Sequence, residues 1–374
     1  MKNLLKTFCI CLLVAISAST AFNLTSAEPG KAVVAASDLP LKIAPADVNI
    51  KYVGRFDTSD AAGPKCAWSA SNITIKFNGT AANVKMSGRK DADRWQVSVD
   101  GKPTQVITMT GSPALFSLAA DLPAGEHTVS MMRCGEAHLG PSQILGFQLS
   151  QDAKLLPVPA AKHRLEVIGD SISCGYGNEA NAKEEHFTPQ TENAYKTYGA
   201  IAARALDADY MCIAWSGKCM WPKNTIPEIY GRTLPFDASS KFDFSKWKPE
   251  AIVINLCTND FGKETPEEEG WVKAYKEFIS GLRKNNADAV IFCSVGPMMS
   301  DAWPKDKKAL STASRYLNRI VDECTKEGDK NIFFLKFDTQ TGSNGYGADW
   351  HPSAKQHEVM SGTLINALKE KLKW

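Results

Sequence analysis

The sequence predicts two domains in series: a β-sandwich of the jelly-roll type over residues 46–158, and an α/β domain with a doubly wound parallel sheet over residues 159–374. Short runs that alternate apolar and polar residues, separated by turn signals, fill the first part, which is typical of antiparallel strands. From His163 onward, longer apolar runs alternate with helical patterns, which is typical of a parallel sheet. The length of 374 residues also exceeds one typical domain.

The first residues have the pattern of a signal peptide, assigned to residues 1–27. Two lysines precede an apolar run at 8–16, and Ser19-Thr20-Ala21 offers a small-residue cleavage site; cleavage after Ala27 is the alternative. Residues 28–45 are rich in Ala, Pro and Ser and are predicted to form a linker. The apolar run is too short to span a bilayer, so we expect an exported protein, secreted or periplasmic, without a membrane partner.

Composition narrows the class of partner. A hydrophobic content of 44% and a charged content of 22% are typical of a soluble globular protein with a sizeable core. The net charge of +2 does not indicate a nucleic-acid partner or an anionic membrane surface. The oligomeric state stays open from the sequence, with a monomer favoured.

Eight cysteines follow the predicted signal peptide, none of them in a Cys-x-x-Cys pair, and export would permit disulfides. Cys212 and Cys293 lie inside apolar runs and are predicted to be free buried thiols. Cys66 and Cys134 are candidates for a disulfide between strands of the sandwich.

The predicted strands of the sandwich are short and are separated by turn signals such as Asn78-Gly79, Asp100-Gly101 and Ala124-Gly125. They are residues 72–77, 82–86, 94–99, 105–109, 115–118, 127–132 and 144–149. No residue in this part indicates catalysis, and His127 and His138 are predicted to be surface or structural histidines.

In the second domain, buried strands are predicted to alternate with helices. The predicted strands are residues 165–168, 210–214, 251–256, 290–295 and 332–337, and the predicted helices are residues 193–206, 267–284, 310–326 and 352–372. We find no internal repeat.

Polar loops follow several of these strands, at the edge where open α/β sheets bind their ligands. The first is Gly169-Asp170-Ser171, which opens a glycine-rich loop. The others are residues 215–220, 255–261 and 347–353. Because parallel strands end at the same edge, we expect the four loops to lie together.

The residues in these loops suit nucleophilic acyl transfer. Ser171 needs a base to become a nucleophile, and His351, at the start of the last helix, is the natural candidate. If the Asp170 side chain caps local amides, the amide of Ser171 is free to point at an anion. The backbone amides of Ser171 and Gly217, with the side-chain amide of Asn259, would supply three donors to a tetrahedral oxyanion.

In their order, the four loops resemble the four sequence blocks of the SGNH (GDSL) hydrolases: Gly-Asp-Ser, a glycine, Gly-x-Asn-Asp and a terminal histidine. The closer resemblance is to carbohydrate esterase family 2. There Gly-Asp-Ser-Ile-x-Cys-Gly-Tyr-Gly-Asn-Glu, a Thr-Glu-Asn-x-Tyr helix entry (here residues 191–195) and Asp-Trp-His-Pro recur. The resemblance covers residues 48–374, because that family also joins a jelly-roll domain to an SGNH domain.

The resemblance implies an exported serine esterase that removes O-acetyl groups from plant polysaccharides such as xylan or glucomannan, with a preference for the 6-position of hexoses. The expected partner is an acetylated polysaccharide or oligosaccharide. The resemblance implies no metal and no cofactor.

Two cysteines depart from the family pattern. Cys257 stands where most SGNH proteins have glycine, and Cys219 stands where the nearest relatives have glycine. Because both loops should face each other beside Ser171, one hypothesis is a Cys219–Cys257 disulfide that braces the oxyanion loops; it requires Cα atoms within about 7 Å. The alternative is two independent small-residue replacements.

The third member of a catalytic triad is uncertain. The usual SGNH spacing is Asp-x-x-His, but Ala348 stands three residues before His351, and Asp349 stands two before it. We favour a Ser–His dyad in which a backbone carbonyl of residues 348–350 orients the histidine, with Asp349 as the alternative third member. Trp350 is a candidate sugar platform or acyl-pocket wall, with packing in the core as the alternative.

Three further side chains receive expectations. Asp260 is expected to hold the Asn259 loop, His186 to lie in a loop near the serine, and His357 to be an exposed helix residue. Two other functions remain open: an SGNH esterase or lipase acting on other acyl esters, and a carbohydrate-binding protein with a decayed esterase site.

Overall fold

The computed structural model describes residues 36–374, in which an antiparallel β-domain precedes an α/β domain with a parallel sheet. The predicted fold class is therefore confirmed. The predicted signal peptide, residues 1–27, and the first residues of the predicted linker lie outside the described residues.

A five-stranded and a six-stranded antiparallel sheet form the β-domain. The strands are β1 (Leu41–Ile43), β2 (Lys51–Val53), β3 (Lys65–Cys66), β4 (Asn72–Asn78), β5 (Ala82–Ser87), β6 (Arg94–Val99), β7 (Lys102–Thr108), β8 (Ala114–Ala119), β9 (Glu126–Arg133), β10 (Ser142–Leu149) and β11 (Lys154–Leu156). The first sheet has the order β1-β10-β5-β8, with β3 paired to β10. The second has the order β11-β4-β9-β6-β7, with β2 paired to β4.

The alternating pattern of the sequence produces the core between the two sheets. In β4, Ile73, Ile75 and Phe77 are buried while their neighbours are more exposed, as expected when one face of a strand packs inward. The Asp100-Gly101 turn joins β6 to β7 with both residues at positive φ, the conformation that tight hairpin turns require.

The α/β domain contains a sheet of five parallel strands, in the order β13-β12-β14-β15-β16. They are β12 (His163–Gly169), β13 (Ala208–Ala214), β14 (Ala251–Asn255), β15 (Val290–Val295) and β16 (Ile332–Lys336). The α-helices are α1 (Ser171–Cys174), α2 (Tyr198–Ala205), α3 (Thr258–Phe261), α4 (Glu268–Asn285), α5 (Ala309–Lys326) and α6 (Ala354–Leu372). The predicted helix 193–206 is divided into a 3-10 turn and α2, because Thr197 between them has an extended backbone.

Helices cover both faces of the parallel sheet. Apolar residues of α4 and α5 share a core cluster with Ile168, and residues of α2 and α6 share another with the preceding Val167. The strand β12 lies between β13 and β14, so the strand order reverses at its carboxyl end. Such a reversal opens the crevice in which doubly wound proteins bind ligands, and Ser171 follows it directly.

Charged groups join the two domains. The fully buried guanidinium of Arg55, from the β-domain, pairs with Glu166 of β12 at 3.4 Å and lies 4.3 Å from the centroid of the Phe242 ring. Lys51 of β2 pairs with Asp209 of β13 at 2.6 Å. Asp209 lies near the amino end of its strand, at the edge of the sheet opposite Ser171.

The hypothesis of a Cys66–Cys134 disulfide is wrong, since both are free thiols. Cys66 lies in β3 of the first sheet, whereas Cys134 follows β9 of the second, and its Sγ contacts the Met132 carbonyl at 3.9 Å. Cys212 and Cys293 are free and buried, as predicted. Within residues 36–374, no helix combines the length and apolar character needed to cross a membrane.

Candidate active site

Ser171 sits at the sharp turn between β12 and α1. Gly169 has no room for a side chain, because a Cβ there would lie 2.1 Å from the Ser173 hydroxyl. Asp170 is extended, and its carboxylate accepts the amide of Ile172 at 3.0 Å, capping α1. Neither a backbone nor a side-chain acceptor among the described residues takes the Ser171 amide, as the sequence predicted.

His351 meets Ser171 directly. Its Nε2 lies 2.8 Å from Ser171 Oγ, and its Nδ1 lies 3.1 Å from the Ala348 carbonyl oxygen. Because a carbonyl can only accept, Nδ1 carries the ring proton and Nε2 is left to accept the serine hydroxyl. Burial lowers the pKa of His351, which keeps the imidazole neutral and able to take a proton.

The backbone before His351 makes this contact possible. Residues Ala348–Trp350 form a 3-10 turn in which Asp349 has φ 49° and Trp350 has φ 66°. The amide of His351 donates to the Ala348 carbonyl at 3.0 Å, and the same carbonyl oxygen accepts the hydrogen bond from His351 Nδ1. One backbone oxygen therefore fixes both the main chain and the ring of the histidine.

The structure does not place the Asp349 carboxylate on His351. It accepts the Tyr176 hydroxyl at 2.9 Å, the Phe187 amide at 3.2 Å and His186 Nδ1 at 2.8 Å. The positive φ of Asp349 turns its side chain toward this neighbouring loop. These hydrogen bonds hold the pKa of Asp349 below its ordinary value, although burial acts in the opposite direction.

The loop of residues 215–220, which follows β13, brings Gly217 to the same edge of the sheet as Ser171. The amide of Trp215 reaches the Gly169 carbonyl at 3.4 Å, which continues the contact between β12 and β13. Gly217 has φ 76°, a conformation that favours glycine, and its carbonyl accepts Asn224 Nδ2 at 2.9 Å. In the part of the chain that the structure describes, its amide has no acceptor.

Asn259, in α3, lies between the first two loops. Its Nδ2 donates to the Lys218 carbonyl at 2.9 Å and lies 3.5 Å from the Asp170 carboxylate. The first N–H is thus engaged and the second is only weakly bonded. Burial raises the pKa of Asp170 to about 7.

Asp260 holds the Asn259 segment in place, as expected, through contacts with residues outside that segment. Its carboxylate accepts the amides of Met220 and Trp221 at 3.0 Å and Trp271 Nε1 at 2.8 Å. The carboxylate therefore ties the Gly217 loop to α3 and α4.

The Cys219–Cys257 disulfide hypothesis is wrong, because both cysteines are free. Cys257 is fully buried in the core cluster that α4 and α5 share with the sheet. Cys219 is half-buried on the Gly217 loop, where it forms a backbone bridge with Thr225. Burial raises the pKa of Cys219 to about 12, so it is not a reactive thiolate at neutral pH.

Trp350 is 53% exposed beside the histidine. The Lys183 ammonium lies 3.8 Å from the centroid of its ring, and Tyr346 contacts it edge to face at 5.4 Å. A half-exposed indole held in this way can offer a flat apolar surface to a pyranose ring. His186 is exposed and belongs to the loop bound by Asp349.

The expectation that His357 is exposed is wrong. The residue is fully buried, its Nδ1 accepts the Tyr198 amide at 3.3 Å, and its ring is parallel to that of Tyr198. The reason is that this face of α6 packs against α2. Burial lowers the pKa of His357 to about 3, so it is neutral in the folded protein.

Glu136 is a residue that the sequence did not single out. It lies in the β-domain, yet its carboxylate accepts both the amide and the hydroxyl of Ser216, at 2.6 and 2.5 Å. An isolated acidic residue in a loop of a different domain carries no local signal of such a contact.

A serine hydroxyl hydrogen-bonded to a neutral histidine, at the ligand-binding edge of a doubly wound sheet, is the arrangement of a serine ester hydrolase. The model of the GDSL-like lipase/acylhydrolase family matches residues 167–359, and the model of the carbohydrate esterase 2 N-terminal domain matches residues 52–159. The chain belongs to carbohydrate esterase family 2.

Individual relatives agree with this assignment. The cellulase/esterase CelE of Acetivibrio thermocellus is 42% identical over 333 residues, which are 87% of this chain and 40% of that protein. An acetylxylan esterase/glucomannan deacetylase of Cellvibrio japonicus is 28% identical over 324 residues, which are 82% of this chain and 85% of that protein. The chain thus spans less than half of CelE but most of the Cellvibrio enzyme.

The similarity extends to solved structures over most of the chain. The structure of a family two carbohydrate esterase from Clostridium thermocellum in complex with cellohexaose is 41% identical. It covers 87% of this chain and 99% of that one, with a TM-score of 0.81.

Proposed function

We propose that this esterase removes O-acetyl groups from plant cell-wall polysaccharides such as acetylated xylan and glucomannan. The observation that carries the proposal is the 2.8 Å contact between Ser171 Oγ and His351 Nε2, with Nδ1 held by the Ala348 carbonyl. The Cellvibrio relative, named as an acetylxylan esterase/glucomannan deacetylase, supports the substrate class.

In the first half of the reaction, Ser171 Oγ attacks the acetyl carbonyl carbon while its proton passes to His351 Nε2. The carbonyl oxygen becomes an oxyanion, to which the amides of Ser171 and Gly217 and the side chain of Asn259 donate. As the carbon–oxygen bond to the sugar breaks, the proton on Nε2 passes to the departing sugar oxygen. An acetyl-serine remains.

In the second half, His351 takes a proton from water, and the resulting hydroxide attacks the acetyl carbon. The proton returns to Ser171 Oγ as acetic acid leaves, and the acid then ionises to acetate in solution. The Ala348 carbonyl accepts from Nδ1 throughout, which stabilises the imidazolium that forms in each half. We therefore assign a Ser–His dyad, with Asp349 outside the proton transfers.

The substrate platform is assigned to Trp350, whose exposed ring adjoins the histidine.

We also propose that the protein is exported, on the strength of the signal-peptide pattern in residues 1–27. Amino-terminal sequencing of the protein recovered outside the cytoplasm would start at a residue between 22 and 28 if that is right, and at residue 1 if it is not.

The experiment that tests the function measures acetate release from acetylated glucomannan and acetylated xylan, with wild type and Ser171→Ala in parallel. We expect release by wild type and its loss in the variant. Release from aryl acetates alone would redirect the substrate class to other acyl esters. Binding of glycan without release from any ester would indicate a carbohydrate-binding protein.

A further inference from the structure

A carboxylate of the β-domain reaches into the hydrolase domain and holds the loop that carries Gly217. Glu136 is fully buried, and its two oxygens accept the Ser216 amide at 2.6 Å and the Ser216 hydroxyl at 2.5 Å. Ser216 directly precedes Gly217, and the peptide between them contains the Gly217 N–H. The direction of that N–H therefore depends on where Glu136 holds Ser216.

The segment that presents Glu136 is itself anchored on the hydrolase domain. The amide of Glu136 donates to the Glu192 carboxylate at 3.1 Å, and the amide of Ala194 donates to the Cys134 carbonyl at 2.8 Å. Gly135 lies between Cys134 and Glu136, and a Cβ there would lie 2.5 Å from the end of the Leu139 side chain, which would have to move. The segment is thus fixed at Glu136 and at Cys134, two residues before it.

Two buried carboxyl groups, of Glu136 and Glu192, lie side by side here, and their pKa values shift in opposite directions. Burial would raise the pKa of Glu136, but hydrogen bonds from His138 and Ser216 outweigh it and lower the pKa. Burial, followed by the charge of Glu136, raises the pKa of Glu192 well above its ordinary value. These shifts favour the protonated form of Glu192 and the ionised form of Glu136, whose carboxylate accepts from Ser216.

We propose that Glu136 is a positioning residue for the oxyanion hole: through Ser216 it sets the orientation of the Gly217 amide, so that the β-domain completes the esterase site. This inference rests on the proposed function, because it assigns Gly217 N–H to the oxyanion. A small displacement of such a donor is costly, since a misplacement of about 1 Å can reduce the rate by about 100-fold.

The test measures kcat, KM and thermal unfolding for Glu136→Ala and Glu136→Gln on a soluble aryl acetate. In Glu136→Ala the loop loses both hydrogen bonds, and we expect kcat to fall by about 10–100-fold with little change in KM. Glu136→Gln keeps an oxygen for the Ser216 amide and an amide group for its hydroxyl, so we expect most of kcat to return.

A second variant keeps the test informative if Glu136→Ala misfolds. Ser216→Ala removes only the hydroxyl bond and keeps the backbone bond, and we expect a loss of kcat intermediate between wild type and Glu136→Ala. The matched control is Lys51→Met, which breaks another contact between the domains at the far edge of the sheet. We expect it to lower the unfolding temperature without changing kcat.

Unchanged kcat in both Glu136→Ala and Ser216→Ala would overturn the inference, as would an equal loss of kcat in Lys51→Met. Failure of the proposed function is separately visible, because Ser171→Ala would then retain ester hydrolysis. With an inactive Ser171→Ala and a fully active Glu136→Ala, the esterase assignment stands and the positioning role does not.

Discussion

The carboxylate of Asp349 accepts the Tyr176 hydroxyl at 2.9 Å, and does not contact the histidine two residues further along the chain. The ring of Tyr176 lies 4.2 Å from that of His351, centroid to centroid. Asp349 therefore connects to His351, the proposed catalytic base, through a phenol ring and the backbone and not through a hydrogen bond from its carboxylate. This arrangement separates the roles of two residues that the sequence places side by side.

The first prediction concerns these two roles. Because His351 moves the proton, His351→Ala should lower kcat by about 100–10,000-fold. Asp349→Asn should lower kcat by less than about 10-fold, because the backbone carbonyl of Ala348 still fixes the imidazole. Steady-state kinetics on an aryl acetate would check both. Losses of similar size in the two variants would reinstate Asp349 as a triad member.

Tyr176→Phe is the matched control for that comparison. It removes the hydroxyl bond to Asp349 and keeps the ring against His351. We expect it to behave like Asp349→Asn in kinetics.

The second prediction concerns pH. In the proposed mechanism the neutral form of His351 is the base, and burial lowers its pKa. Activity should therefore stay high as the pH falls past about 6.5, the ordinary pKa of histidine. It should be lost only as the pH falls through the lowered pKa of His351. A profile of kcat/KM against pH measures this. In Asp349→Asn the acid limb should move further down, because the Asp349 charge raises the pKa of His351. An inflection above the ordinary histidine value would contradict the expectation.

The third prediction concerns Asn259, the proposed side-chain donor of the oxyanion hole. Removal of one such donor costs about 100–1000-fold in kcat, and we expect Asn259→Ala to fall in this range with KM little changed. Since Asn259 also holds the Lys218 carbonyl, the thermal unfolding temperature should be recorded with the kinetics. A variant that loses thermal stability but keeps kcat would assign Asn259 to loop structure alone.

The fourth prediction concerns Trp350. Its exposed ring is assigned to the sugar, so Trp350→Ala should raise KM for acetylated glucomannan by about 10-fold, consistent with a loss of 1–1.5 kcal/mol of aromatic contact. Hydrolysis of a small aryl acetate, which has no sugar to place on the ring, is the internal control. Equal effects on both substrates would move Trp350 from the sugar site to the acyl site.

The fifth prediction concerns stability. The folded protein keeps His357 neutral down to a pKa of about 3, whereas the unfolded chain binds a proton below about 6.5. The free energy of unfolding should therefore decrease as the pH falls below about 6.5, by up to 1.36 kcal/mol per pH unit from this residue. Denaturant unfolding at pH 7 and pH 5 measures it.

His357→Asn is the comparison for that measurement, since its amide oxygen can accept the Tyr198 amide in place of Nδ1. The variant should lose stability at pH 7 but show a smaller dependence on pH between 7 and 5. Identical pH dependence in wild type and variant would remove His357 as the source.

Local sequence pattern by itself determined the order of the two domains, twelve of the sixteen strands in the described residues, the long helices, and the edge where Ser171 and His351 meet. The short strands β1, β2, β3 and β11 were not predicted, and β1 lies within the predicted linker, residues 28–45. The physical reason is that period-two and helical alternation decide which face of an element is buried. A parallel sheet, in turn, places the ends of all its strands at one edge. The Gly217 loop was predicted at the same edge because it directly follows the second predicted strand.

Only the tertiary structure decided which side chains touch across that edge. The left-handed turn at Asp349 directs its carboxylate to Tyr176, the packing of α6 on α2 buries His357, and Cys257 packs in the core as a free thiol. The contact between Glu136 and Ser216 joins residues 80 positions apart in different domains. Such contacts depend on how whole elements pack together, and no local pattern of residues records them.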